Sequence, residues 1–182
     1  EPGGPEPHPR FETPPGRQLQ FDWKEDLRMT SRSGEELAFN VYTATLGCSR
    51  LHKFSYARTR TTDELIACWL ETIRWLGGVP EEWLTDNMSA VVTFSGGRRV
   101  KSERALAFAR EAGFSLQLCR PGMPETKGKV ESSNRFLSRL AVYEGDFRGE
   151  EGLVAAIARI EARSNTEPSA STGVPPAVLF MR

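Results

Sequence analysis

Three acidic residues, Asp22, Asp86 and Glu131, occupy positions where their side chains could act together. Asp22 lies inside a run that alternates apolar and polar residues, and Asp86 ends the β-type run 82–86. Ligands collect at the carboxyl ends of strands in open α/β sheets, so the two aspartates could meet there. Three converging carboxylates repel one another unless a cation lies between them, and oxygen ligands favour Mg²⁺ or Mn²⁺. Two such ions, roughly 3.5 to 4 Å apart, support phosphoryl transfer.

The segment around Glu131 predicts a helix over about residues 127–143 with two distinct sides. The apolar side consists of Val130, Leu137, Leu140 and Ala141, and the polar stripe of Lys127, Glu131, Asn134 and Ser138. That stripe could face the two aspartates. Lys127, Lys129 and Arg135 could then bind phosphate oxygens beside the metals, the arginine in a bidentate manner and the lysines as point charges.

Each acid also has a simpler interpretation. An aspartate inside a strand is often a surface residue, and Asp-Asn at a strand end often marks a turn. A helical glutamate flanked by lysines usually belongs to a solvated ion-pair face worth roughly a few tenths of a kcal/mol. Spacing also leaves Asp26 open as an alternative to Asp22. Asn87 is a candidate for supporting the metal ligands without binding the metal itself.

Several other familiar sites do not fit the sequence. GGRRVKS, residues 96–102, lacks the fixed spacing of a Walker motif, so we interpret it as a flexible basic loop. His8 and His52 are the only histidines, which excludes a zinc enzyme with several imidazole ligands. We predict that His52 is a strand surface residue. No GxSxG motif or nucleophilic Cys/His pairing is found.

Composition narrows the remaining classes of protein. The 24 Lys and Arg residues balance 24 Asp and Glu residues, which argues against strong nucleic-acid binding through bulk charge alone. No apolar run approaches the roughly 18 residues of a membrane span, which argues against a membrane role. Cys48, Cys68 and Cys119 are widely spaced and odd in number, so we predict buried thiols in a reducing cytosol.

Residues 1–16 differ in composition from the rest of the chain. They contain six prolines and three glycines with few apolar residues, which predicts an extended or disordered linker. The chain begins with neither an initiator Met nor a signal sequence, so we expect a piece of a longer protein. Residues 17–182 have the size of one domain, in which roughly 70% of the unfolded chain's surface can be buried.

The elements that must position the acids begin with three β-type runs. These are 19–24, 37–46 and 50–57, and the short turn at 47–49 predicts an antiparallel meander. Thr61 and Glu64 form a capping box at the start of an apolar stripe that stops at Gly77, which predicts a helix.

A strand, helix and strand follow, at 82–86, about 102–113 and 115–119, and predict a parallel crossover. Helices over about 127–143 and 149–164 come next, and the tail 172–180 is expected to pack back on the body. The predicted fold class is therefore α/β, with a mixed five-stranded sheet of three antiparallel strands and then two parallel ones, flanked by helices.

Three stretches carry a resemblance to a known family: PGRQLQFDW (15–23), WLTDN (83–87) and KGKVESSNRF (127–136). In that order they resemble the integrase-like catalytic core of the DDE transposases, most closely the IstA-type insertion-sequence transposases. The resemblance covers about residues 15–180 and implies a ribonuclease H-like fold in which Asp22, Asp86 and Glu131 are the DDE triad. Sixty-three residues separate the two aspartates and 44 separate Asp86 from Glu131, a spacing that suits the transposases better than the retroviral integrases.

The resemblance also implies an activity, a cofactor and partners. Such transposases nick transposon DNA at its 3′ ends and join the freed 3′-hydroxyl to target DNA, with two Mg²⁺ or Mn²⁺ ions and no covalent enzyme intermediate. They work as oligomers in the bacterial cytoplasm, in association with the nucleoid, and an IstB-type AAA+ ATPase assists target capture. The family's helix-turn-helix domains and C-terminal β-barrel are not found in this sequence, so we expect the chain alone to bind transposon ends weakly, if at all.

Two rival functions remain open at this point. One is a ribonuclease H-like nuclease that cuts without joining. The other is a non-catalytic DNA-binding or assembly module on the same fold.

Overall fold

A computed structural model describes residues 13–86, 88–119 and 135–182. Within them the elements in chain order are β1 (Gln18–Thr30), β2 (Glu36–Leu46), β3 (His52–Ala57), α1 (Thr62–Leu76), β4 (Glu82–Thr85), β5 (Val92–Ser95), β6 (Arg98–Lys101), α2 (Glu103–Ala112), β7 (Ser115–Leu118), α3 (which includes residues 135–141), α4 (Gly149–Thr166) and α5 (Pro176–Phe180). In this part of the chain, no helix is both long and apolar enough to cross a membrane.

Five strands form one mixed sheet in the order β3-β2-β1-β4-β7. β1 pairs antiparallel with β2, and β2 with β3, whereas β1–β4 and β4–β7 are parallel. The predicted fold class is therefore confirmed. The side chains of β1 alternate between the two faces of the sheet, with Leu19, Phe21 and Trp23 buried on one face.

Helix α1 covers that face with its apolar side, and both of its ends are capped. The Thr61 hydroxyl accepts the Glu64 N–H at 3.2 Å, and Gly77 ends the helix in the left-handed conformation with φ 70°. Trp69, fully buried, lies edge-on against Phe21, with ring centroids 5.3 Å apart. Helix α2 packs beside α1 and contributes to the same core.

Helices α3 and α4 pack on the opposite face, over β2 and β3. Phe136 of α3 contacts Phe54 of β3, with ring centroids 4.6 Å apart, and Leu140 is buried one turn later. The predicted apolar side of this helix is therefore wrong for Leu137 and Ala141, which are exposed. The ring of Phe54 sets the side of the helix that is buried. The tail packs back as predicted, with Pro176 buried and α5 against α4.

Two further predictions are corrected by the structure. Residues 98–101 of the proposed basic loop form β6, which pairs antiparallel with β5 in a separate two-stranded sheet. The two glycines between these strands make a hairpin turn. Cys68 is buried and Cys119 half-buried, but Cys48 is exposed because it lies in the turn between β2 and β3.

Candidate active site

Asp22 lies in β1 on the face of the sheet opposite α1, between the buried Phe21 and Trp23. Its Oδ1 accepts the backbone N–H of Trp23 at 2.8 Å. The Thr43 hydroxyl of β2 donates to the Asp22 carbonyl oxygen at 3.3 Å. These bonds hold both the carboxylate and the backbone of Asp22 in place.

Asp86 follows the last residue of β4 and is exposed. The parallel pairing of β1 with β4 aligns Gln18 with Glu82 and Gln20 with Leu84. The same register, continued by two residues, aligns Asp22 with Asp86. Neighbouring strands lie about 4.8 Å apart and aligned side chains of parallel strands share a face, so one cation could reach both carboxylates.

Asp26, the alternative to Asp22, lies elsewhere. It follows Asp22 by four residues, about 13 Å along a strand, at a register shift where its φ is 52°. Its carboxylate lies 3.4 Å from the Arg60 guanidinium, and its N–H donates to the Asn40 side chain at 3.0 Å. The register of β1 and β4 thus favours Asp22.

The third acid, Glu131, lies outside the described residues, as do Asn87, Lys127 and Lys129. Arg135 is described and is exposed on α3. Of the predicted polar stripe, Ser138 is described and is also exposed.

The position of Phe136 relates α3 to the aspartates. Asp22 pairs with Thr43, and Thr43 pairs with Phe54, so these residues form one row across β1, β2 and β3. Phe54, at the end of that row, lies about 10 Å from Asp22 at the usual strand spacing, and Phe136 packs on it. Helix α3 therefore packs against the sheet face that carries Asp22.

Sequence reasoning missed Cys119 as a neighbour of this site. Its backbone N–H donates to the Thr85 carbonyl at 2.7 Å, which continues the β4–β7 pairing beside Asp86. Aligning the ends of the two predicted parallel strands would have revealed it. Among the described residues, no group of three or more His, Cys, Asp or Glu side chains is arranged to hold a metal. Asp22 and Asp86 nevertheless offer the hard oxygen atoms that Mg²⁺ prefers.

His52 lies in β3, as predicted, but it is half-buried rather than on the surface. Its Nδ1 lies 3.0 Å from the Thr45 hydroxyl, and the Asn165 side chain binds its backbone N–H and C=O at 2.8 and 2.7 Å. Burial lowers the pKa of His52 from 6.5 to about 4, with smaller contributions in the same direction from Arg50, Arg135 and Arg139. The imidazole is therefore neutral at pH 7.

Residues 12–124 match the family model described as integrase core domain. The chain is 36% identical over 170 residues to the transposase for insertion sequence element IS232 of Bacillus thuringiensis subsp. berliner, covering 90% of this chain and 38% of that protein. A relative from the element IS5376 of Geobacillus stearothermophilus is 32% identical over 169 residues, which cover 92% of this chain and 42% of that protein. The chain thus spans about two fifths of the length of these curated relatives.

The fold also resembles solved structures. The HTLV-2 integrase catalytic core domain, solved in complex with magnesium, superposes with a TM-score of 0.67 at 19% identity, over 91% of this chain and 97% of that one. This likeness confirms the ribonuclease H-like fold. The family model matches more than half of the chain, residues 12–124, so the chain belongs to the integrase core domain family.

Proposed function

We propose that this chain is the catalytic core of a DNA transposase, which cleaves the 3′ ends of transposon DNA and joins them to target DNA by metal-dependent phosphoryl transfer. The observation that carries the proposal is the register of β1 and β4, which pairs Gln20 with Leu84 and, continued by two residues, aligns Asp22 with Asp86 at the carboxyl end of β4. The transposase relatives support it.

In this proposal Asp22, Asp86 and Glu131 bind two Mg²⁺ or Mn²⁺ ions. Glu131 precedes Phe136 by five residues, about 7.5 Å along the predicted helix, and Phe136 packs on the sheet face that carries Asp22. The all-oxygen donor set fits a hard cation. Bound ions would activate the attacking oxygen and stabilise the leaving one. The magnesium complex of the HTLV-2 core domain supports this cofactor.

The other predicted site residues have roles around the triad. The Trp23 N–H orients the Asp22 carboxylate before any ion binds. Arg135, exposed on α3, binds DNA phosphate together with Lys127 and Lys129, and Asn87 supports the Asp86 carboxylate. Charge on DNA phosphate is thereby neutralised beside the reacting bond.

The proposal extends to organisation and partners. Residues 1–16 act as a linker to the core, residues 17–182. The transposase that contains this core acts on transposon ends and target DNA as a homo-oligomer, in the bacterial cytoplasm at the nucleoid, with help from an IstB-type AAA+ ATPase.

The chemistry can be tested on the 182-residue chain with a branched duplex that mimics a joined product. Joining exchanges one phosphodiester for another, so the reverse reaction is close to balanced in energy and yields a religated strand. We expect religation that depends on Mg²⁺ or Mn²⁺, and its loss in Asp86→Asn and Glu131→Gln. Glu36→Gln, a carboxylate on the exposed end of β2, serves as the matched control.

The products separate the rival functions. Cut strands without religation would indicate a nuclease, and religation that survives Glu131→Gln would refute the triad. Metal binding provides a second readout: a Mn²⁺-soaked crystal should show density between Asp22 and Asp86. Aspartates that stay apart after the soak would favour a non-catalytic module.

A further inference from the structure

The hairpin of β5 and β6 has a charge unlike that of the chain as a whole. Residues 88–102 contain Arg98, Arg99 and Lys101 and no Asp or Glu, although the net charge of the chain is zero. The strands pair from Val92–Lys101 to Ser95–Arg98, and the turn between them is Gly96-Gly97. Both glycines have positive φ, 57° and 75°, as a tight type I′ hairpin turn requires.

The base of the hairpin is fixed to the domain, whereas its outer part projects from it. The Ser102 N–H donates to the Val91 carbonyl at 2.6 Å, and the Thr62 hydroxyl of α1 donates to the Ala90 carbonyl at 2.9 Å. Lys101 Nζ donates to the Leu116 carbonyl of β7 at 2.7 Å. Residues 93–100 are all exposed.

The two arginines of the hairpin lie on opposite faces of the ribbon. Phe94 pairs with Arg99, and Ser95 with Arg98, so these neighbouring pairs point to opposite sides. The Arg99 guanidinium lies 5.9 Å from the centroid of the Phe94 ring, which is 74% exposed. A cation held over an aromatic ring has fewer conformations to lose when it binds an anion.

We propose that this hairpin enters a groove of duplex DNA, where Arg98 and Arg99 contact phosphates on the two sides of the groove. A flat anionic surface could contact only the arginine on one face of the ribbon. A DNA groove has phosphates along both walls, so both arginines could bind at once. The major groove, about 12 Å wide, admits a two-stranded ribbon, and the glycine turn keeps the tip narrow. The identity of the ligand as DNA rests on the proposed function.

The position of the hairpin agrees with a duplex bound at the aspartates. Val92 follows Asp86 by six residues, at most about 20 Å of chain, and each hairpin strand is about 10 Å long. One turn of DNA is about 34 Å. A duplex with a phosphate at Asp86 therefore passes the hairpin within about one turn.

The test is the salt dependence of DNA binding by the 182-residue chain. The affinity for a labelled duplex of arbitrary sequence is measured by fluorescence anisotropy between about 50 and 200 mM salt. In Arg98→Ala/Arg99→Ala we expect the slope of log affinity against log salt to be shallower by about 1.8, because each phosphate contact contributes about 0.9. The loss of affinity over this range then becomes about 12-fold smaller than in the wild type.

Two double variants control for charge. Arg98→Lys/Arg99→Lys keeps both positive charges and should retain the wild-type slope. Arg74→Ala/Arg110→Ala removes the same net charge from the last turns of α1 and α2, and its slope should also stay close to the wild type. Thermal unfolding of each variant checks that the fold is intact.

An unchanged slope in Arg98→Ala/Arg99→Ala, or an equal change in Arg74→Ala/Arg110→Ala, overturns the proposal. A wild-type dimer seen by light scattering that dissociates in Arg98→Ala/Arg99→Ala, with the slope unchanged, would assign the hairpin to self-association and also overturn it. Binding is measured without turnover, so this result and the religation test of Asp86 can fail independently. If Arg98→Ala/Arg99→Ala lowers the slope equally for transposon-end duplexes and for duplexes of arbitrary sequence, the proposal is supported and the contact does not depend on DNA sequence.

Discussion

The half-buried histidine of β3 predicts how the domain responds to acid. Burial lowers the pKa of His52 to about 4, so the folded chain binds this proton less tightly than the unfolded chain does. Between pH 6.5 and 4 the unfolded state carries more protons at this residue, and stability falls as the pH falls through that window. The contribution of His52 to the unfolding free energy is fully present above pH 6.5.

The size of the effect follows from the two pKa values. A difference of one in pKa corresponds to about 1.4 kcal/mol, so the change from 6.5 to about 4 amounts to roughly 3 kcal/mol of unfolding free energy by pH 4. That is a large part of the 5–15 kcal/mol typical of a domain. We therefore expect acid sensitivity well above the pH at which most carboxylates titrate.

The assay is urea unfolding at about pH 7 and about pH 4, for the wild type and for His52→Gln. Glutamine does not titrate in this range and can still bond to the Thr45 hydroxyl. The stability lost by the wild type between the two pH values should exceed that lost by His52→Gln by roughly 3 kcal/mol. His8→Gln, in the proposed linker, should behave as the wild type. Equal losses in the wild type and in His52→Gln would refute the reasoning.

Three further predictions concern stability and are checked by the same unfolding assay at neutral pH. Thr61→Ala removes the hydroxyl that caps α1 and should cost about 1 kcal/mol. Leu65→Ala opens a cavity at a fully buried position and should cost about 2–5 kcal/mol, whereas Leu70→Ala, at a side chain 38% exposed, should cost less than about 1 kcal/mol. Thr85→Val should stabilise the chain by about 1 kcal/mol, because the buried Thr85 hydroxyl has no hydrogen-bond partner among the described residues. A destabilised Thr85→Val would indicate a partner for that hydroxyl.

The parts of the fold that depend on residues close together in sequence were predicted correctly. The alternation in β1 and the Thr61 cap of α1 each need no distant partner, and both were confirmed, whereas the Glu64 carboxylate of the predicted capping box accepts from the Thr59 hydroxyl. The sequence order strand, helix, strand also predicted the parallel crossover, because chirality leaves few ways to connect such strands.

Most errors and open alternatives concern features that contacts with residues distant in sequence determine. Spacing alone predicts Leu137 and Leu140 equally well as buried residues of the helix. Leu140 is the buried one because Phe136, on the same side of the helix, packs on Phe54 of β3. Asp26 could not be separated from Asp22 by spacing, because the register shift after Lys24 is a property of the pairing with β2. The β5–β6 hairpin was missed for a local reason, because two four-residue strands give a weak alternation signal.

The pairing of β1 with both a near and a distant strand bears on the order of folding. β2 follows β1 after a short turn, whereas β4 pairs with β1 in parallel only after the chain has closed a loop of about 64 residues. Contacts between distant segments form more slowly than local ones, so we expect the β1–β2–β3 meander to precede the β1–β4 pairing. In the proposed site, Asp22 and Asp86 would therefore come together late, and a partly folded chain would carry the two acids without the ability to hold a metal ion between them.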